Sequence, residues 1–149
     1  MRLEDEIKQQ RFTDAYRKLV PNLMYTGSWL HTLNSRMLKP YGLSPQQYNI
    51  LRILRGQHPN PATVQLIKER MLDQMSNVSR LVEKLRVKGL VERRTCPSDR
   101  RAVDVLITEA GLELLEKIGE EEAQWFERFH TLTPEEAHRL NELLDKLRG

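Results

Sequence analysis

Cysteine is nearly absent from this chain, whose 149 residues hold only Cys96. One thiol excludes an internal disulfide framework and suits a reducing compartment. Long apolar runs are missing too, and none approaches the ~20 residues needed to span a bilayer. The first ten residues, MRLEDEIKQQ, carry charge and no apolar stretch of the kind a secretory signal needs. We therefore expect a cytoplasmic protein with no membrane partner. The arrangements that carry catalysis are also lacking. His31, His58, His130 and His138 show neither an HExxH motif nor Cys/His ligand spacing. There is no glycine-rich phosphate loop and no nucleophile elbow. The expectation is no enzyme, no metal and no cofactor.

What is present is an ordinary balance of 39% hydrophobic and 30% charged residues, enough for one folded domain with or without helical arms. The net charge of +3 hides a segregation. Arg80–Arg101 holds eight basic and three acidic residues, a local +5, whereas Glu109–Gly149 holds five basic and eleven acidic, a local −6. A basic segment on a near-neutral chain suggests one surface for a polyanion. A solvated charged face is the plainer alternative.

The pattern is mainly helical. Residues 4–20 read as an amphipathic helix with Ile7, Phe12, Ala15 and Leu19 on one side, which Pro21 should kink or break. A second helix carries Leu23, Thr26, Leu30, Leu33 and Met37, and Pro40 and Gly42 stop it. Ser44-Pro45-Gln46-Gln47 is a capping box with proline at the first helical position. Thr63 can cap a short helix through Arg70. Asp73 can cap the next, running to about Lys88 with Val78, Leu81 or Val82, and Leu85 inward; Gly89 ends it. The period then changes to alternation. Leu90–Thr95 and Ala102–Thr108 read as two strands of a hairpin around a turn with a basic shoulder. Thr108 and Thr133 each cap a later helix, the last carrying Ala137, Leu140, Leu144 and Leu147.

Three short helices and a hairpin form a winged helix-turn-helix. A major groove about 12 Å wide admits one helix by its polar face. The helix Gln74–Lys88 has such a face in Gln74, Ser76, Asn77, Ser79, Arg80 and Lys84. Its N-terminal part is where such helices meet bases. Asn77 suits adenine and Arg80 suits guanine. Arg100 at the hairpin tip can enter a minor groove, and Asp99 and Arg101, two apart on an extended chain, can form an ion pair that stiffens the wing.

The chain resembles the MarR family of bacterial transcriptional regulators. The match runs through Lys39-Pro40-Tyr41-Gly42-Leu43-Ser44, Val78-Ser79-Arg80-Leu81-Val82, Leu85 and Lys88-Gly89-Leu90-Val91. It continues through Asp99-Arg100-Arg101 and Leu106-Ile107-Thr108-Glu109-Ala110-Gly111, and it covers residues 22–147. The resemblance implies a mainly helical winged helix-turn-helix fold with a small β-hairpin wing in an interlocked helical dimer. It implies a homodimer on a palindromic stretch of double-stranded DNA, commonly acting as a repressor. It also implies Arg100 in the minor groove, the Asp99–Arg101 pair in the wing, and a small amphipathic effector. At the turn between the reading helices the family usually has glycine, an aliphatic residue and serine; here Leu72-Asp73-Gln74 stand instead.

Residues 1–42 then form an N-terminal arm and dimerisation region, 43–108 the DNA-binding domain, and 109–149 a C-terminal dimerisation region. The terminal helices are amphipathic beside a small reading lobe, so their apolar stripes need a partner. Tyr25, Trp29, His31, Arg36 and Tyr48 can line an effector pocket, although aromatic residues at such spacing also serve as core or dimer contacts. Cys96 lies among Arg93, Arg94 and Arg100, which would favour a thiolate and allow a redox switch at the wing; an inert exposed thiol is the plainer reading. Two other functions stay open: a winged helix that binds proteins, and an architectural DNA binder without an effector.

Overall fold

A computed structural model of the chain describes residues 1–9 and 11–149, and of Cys96 and Arg100 the backbone only. The described elements are α1 (Leu3–Glu6), α2 (Ala15–Leu38), α3 (Pro45–Gln57), β1 (Ala62–Thr63), α4 (Val64–Arg70), α5 (Val78–Val87), β2 (Val91–Cys96), β3 (Asp99–Ile107), α6 (Glu109–Glu127) and α7 (Pro134–Arg148).

Local chemistry sets most helix starts. Ser44 and Gln47 form the reciprocal capping box at α3, with Gln47 N donating to Ser44 Oγ at 3.1 Å and Ser44 N donating to Gln47 Oε1 at 2.9 Å. Thr63, Thr108 and Thr133 cap α4, α6 and α7 through their hydroxyl oxygens. Gly42 ends the 3₁₀ turn Lys39–Tyr41 in the left-handed region at φ 67°.

The N-terminal helix differs from the expectation. Instead of one helix over 4–20, a single turn (α1) ends at Glu6, and α2 begins at Ala15, where the Asp14 carboxylate accepts from Arg17 N at 2.9 Å. Pro21 lies inside α2 and does not end it. The bond it forfeits would have used the Arg17 carbonyl, on an exposed first turn where water can serve it. α1 folds back along α2: Leu3 is buried, Lys18 Nζ donates to Glu4 Oε1 at 2.6 Å, and the Tyr25 hydroxyl donates to Glu6 Oε2 at 2.7 Å.

The wing is more than a hairpin. β3 is the centre of a three-stranded antiparallel sheet, with β2 on one side and the two-residue β1 on the other. Ala62 pairs with Val105, and Val105 also pairs with Arg93. This ties the sheet to α4, which follows β1 directly. One core joins these parts: Leu38 of α2, Ile50, Leu51 and Leu54 of α3, Ile67 of α4, Val82 and Leu85 of α5, Val105 of β3, and Leu115 and Ile118 of α6. Each such aliphatic side chain contributes roughly 1.5–3 kcal/mol on burial. Gly111 makes the closest joint. A Cβ there would lie 2.5 Å from the Leu90 carbonyl oxygen and 2.7 Å from Ile107 Cγ1, so α6 can approach the base of the wing only with glycine at this position. α7 has no buried residue among those described, and Leu140, Leu143 and Leu147 are exposed on it.

Candidate nucleic-acid interface

α5 begins later than expected. Asn77, not Asp73, is its cap, with Arg80 N donating to Asn77 Oδ1 at 3.2 Å. Two physical causes account for this. The inward stripe Val78, Val82, Leu85 has a polar residue, Gln74, one turn before Val78, so nothing at that position anchors an earlier turn in the core. The Asp73 carboxylate is also engaged elsewhere: it accepts from Met75 N at 3.0 Å and from Gln46 Nε2 at 3.3 Å. The Gln46 contact, then the Met75 amide, holds Asp73 below the usual carboxylate range. Leu72 N in turn donates to Asn49 Oδ1 at 2.9 Å. Gln46 and Asn49 of α3 thus hold the segment leading into α5. Sequence reading missed both; the signal available was two amides three residues apart on one helix.

The expected DNA-facing residues divide accordingly. Ser79, Arg80 and Lys84 are exposed on α5, while Val78, Val82 and Leu85 face the core. Gln74 and Ser76 lie in the segment before the helix. Gln74 is exposed and its amide donates to the Met71 carbonyl at 2.5 Å, while Ser76 is half-buried. Asn77 is exposed, but its amide oxygen serves the cap and its Nδ2 is what it offers outward.

The basic segment carries less unpaired charge than its count suggests. Arg86 and Arg93 both bind Glu83, at 2.7 and 3.0 Å, and these hydrogen bonds hold Glu83 down to about 2. Arg94 pairs with Glu92 at 2.9 Å, and Lys88 Nζ donates to the Gly42 carbonyl. Arg80, Lys84 and Arg101 are exposed and make no ion pair among the described residues. The link between Asp99 and Arg101 uses the main chain: Arg101 N donates to Asp99 Oδ1 at 2.9 Å, while the guanidinium stays exposed. The side chain of Arg100, expected in a minor groove, and that of Cys96, weighed as a redox switch or an inert thiol, lie outside the described residues.

The residues expected around an effector do not share one cavity in the single chain. Tyr25 is tied to Glu6, and Trp29 packs edge-on to Phe129 with ring centroids 6.3 Å apart. Tyr48 is buried, its hydroxyl 3.1 Å from Glu122, and burial raises its pKa. His31 borders a cleft of about 450 Å³ at the start of α3. Arg36 borders a larger cleft of about 810 Å³ between α2 and α6, with Leu33, Met37, Glu121, Gln124, Trp125, Glu127 and Arg128. Trp125 Nε1 is buried and has no hydrogen-bond partner among the described residues. No group of residues suited to a metal occurs among those described, and no helix is long and apolar enough to cross a membrane.

The profile of the MarR family matches residues 41–102. The transcriptional repressor IacR of Pseudomonas putida is 30% identical over 74% of this chain, which spans 65% of that relative's length. A MarR transcription factor from Planctomyces limnophilus is 33% identical, superposes with a TM-score of 0.70, and covers 91% of this chain and 98% of its own. Sco3205 of Streptomyces coelicolor, a MarR family regulator solved in complex with DNA, has a TM-score of 0.78 at 24% identity over 93% of this chain and 90% of its own; that likeness is one of fold. The winged-helix architecture, the order of its motifs and these relatives agree: the chain belongs to the MarR family, whose members are DNA-binding transcriptional regulators and not enzymes.

Proposed function

We propose that this chain is a repressor that binds a palindromic operator as a homodimer and releases it when a small amphipathic effector binds. The observation that carries the reading is α5, which buries Val78, Val82 and Leu85 while turning Ser79, Arg80 and Lys84 outward beside a basic wing. In a major groove, Arg80 would bind guanine bidentately, worth about 1–3 kcal/mol of discrimination, and Lys84 a phosphate. Gln74, Ser76 and Asn77 would approach the same groove edge, and Arg100 a minor groove. Asp99 and Arg101 would stiffen the wing turn.

Residues 43–108 would read DNA, and 1–42 and 109–149 would form the dimer. Exposed apolar side chains support the latter assignment: Tyr16, Leu19, Val20 and Met24 on α2, and Leu140, Leu143 and Leu147 on α7, need cover. A twofold dimer would set two α5 helices one DNA turn apart, ~34 Å. The cleft between α2 and α6, bordered by Leu33, Met37 and Trp125 and by the charged Arg36, Glu121, Glu127 and Arg128, would take a small amphipathic effector. An effector that prefers a different lobe separation from DNA would shift the population away from the binding form.

Selection of bound duplexes from a random pool, followed by gel shifts across a salt series, tests the reading. A palindrome with half-sites about one turn apart and affinity falling steeply with salt is expected. Equal affinity for every duplex would indicate an architectural binder, and absent binding would leave a protein-binding winged helix.

A further inference from the structure

Leu72 and Met75 are 89% and 92% exposed, more than any other large apolar side chain among the described residues except the terminal Met1. They lie in the segment leading into α5, apart in sequence from the apolar residues of α2, α6 and α7. Their exposure is held in place by the backbone. Leu72 N is fixed by Asn49 Oδ1 at 2.9 Å, and Met75 N by Asp73 Oδ1 at 3.0 Å. Asp73 is in turn held by Gln46 at 3.3 Å. Leu72 and Asp73 belong to the Leu72-Asp73-Gln74 turn, and the clamp from α3 holds these two residues, with Met75 held through Asp73.

Two side chains are too small a patch for the core of a protein interface, which takes about 800 Å² per partner. They are large enough for single methyl groups. On the floor of a major groove the apolar group a protein can meet is the C5-methyl of thymine. Met75 stands four residues before Ser79 and two before the cap of α5, at the end of the helix that meets bases. We propose that Leu72 and Met75 are specificity-determining residues that read thymine methyl groups at the edge of each half-site. This rests on the reading of α5 as the base-reading helix.

The test uses the full-length protein and the duplex it selects. Each thymine in a half-site is replaced in turn by deoxyuridine, which lacks only the methyl group. At one or two positions the wild type should lose roughly three- to fourfold in affinity, the worth of one buried methyl. Leu72→Ala or Met75→Ala should abolish that loss at its own position while leaving other positions unchanged. Met75→Leu should keep it and Met75→Gln should not. Both side chains are exposed, so these variants should unfold as the wild type does. Deoxyuridine equal to thymine at every position, with Arg80→Ala still relaxing preference at its own base pair, overturns the inference and leaves the reading of α5 standing. A pool in which no sequence is enriched overturns both.

Discussion

Gly111 and Gly119 stand eight residues apart on α6, and replacing each by alanine separates packing from propensity. Gly119, inside the helix, gains the ~1 kcal/mol by which alanine exceeds glycine there, and Gly111, in the first turn, gains at most that. Gly119 has nothing within 4 Å of the new Cβ, so that gain should survive. At Gly111 the new Cβ would lie 2.5 Å from the Leu90 carbonyl oxygen and 2.7 Å from Ile107 Cγ1. Leu90 O is backbone and also accepts from Thr108 N at 3.0 Å, so it cannot swing aside as a side chain would. Overpacking costs about 1–3 kcal/mol, and a rigid backbone obstacle belongs in the upper half of that range. The two variants should therefore differ by about 2–3 kcal/mol, with Gly111→Ala the less stable. For a chain of this size that separates their Tm values by roughly 4–12 °C. Thermal unfolding at fixed protein concentration measures it. If Gly111→Ala melts with or above Gly119→Ala, the close approach of α6 to the wing base is refuted.

Three further outcomes follow from the same geometry. Arg80→Ala should relax preference at one base pair and cost about 1–3 kcal/mol, whereas Lys84→Ala should weaken all duplexes alike and lower the salt slope by about one, read from binding isotherms at several salt concentrations. Glu83 titrates near 2, below its ordinary 4.5, because of Arg86 and Arg93. Its contribution is therefore complete above about pH 4.5 and lost as pH falls toward 2. Glu83→Gln should flatten that part of the acid unfolding curve, and an unchanged curve would count against the Arg86–Glu83–Arg93 cluster. If the proposed dimer forms, charged replacements at Leu140 and Leu147 should make it monomeric in sedimentation while leaving the reading lobe folded; a dimer undisturbed by them would remove α7 from the interface.

Features set by short-range spacing are legible in the chain, and those set by distant contacts are not. Ser44, Thr63, Thr108 and Thr133 cap within three residues, and the inward stripe of α5 repeats every three to four, so short spacing alone locates these helices and the exposed Ser79, Arg80 and Lys84. Asp73 and Asn77 are equally good caps by type. The choice fell to Asn77 because Gln46 and Asn49, 27 and 23 residues from their partners, hold the preceding segment. β1 was illegible for the same reason: two residues carry no alternation, and pairing with Val105 and Asp104 makes them a strand. Tyr25, Trp29, His31, Arg36 and Tyr48 share residue types suited to a pocket, yet turn toward different neighbours.

The single cysteine, the absent apolar runs and the missing catalytic spacings bounded what kind of protein this is before any fold was known, since composition and short motifs carry that chemistry. The order of helix, helix, wing and helix was equally a property of the chain, written in caps and periods. The tertiary structure decided the aim of α5, the outward hold on Leu72 and Met75, the pairing of Arg86 and Arg93 with Glu83, and the joint at Gly111. Each depends on which distant groups come within hydrogen-bond or van der Waals range, and no local window of sequence contains that distance.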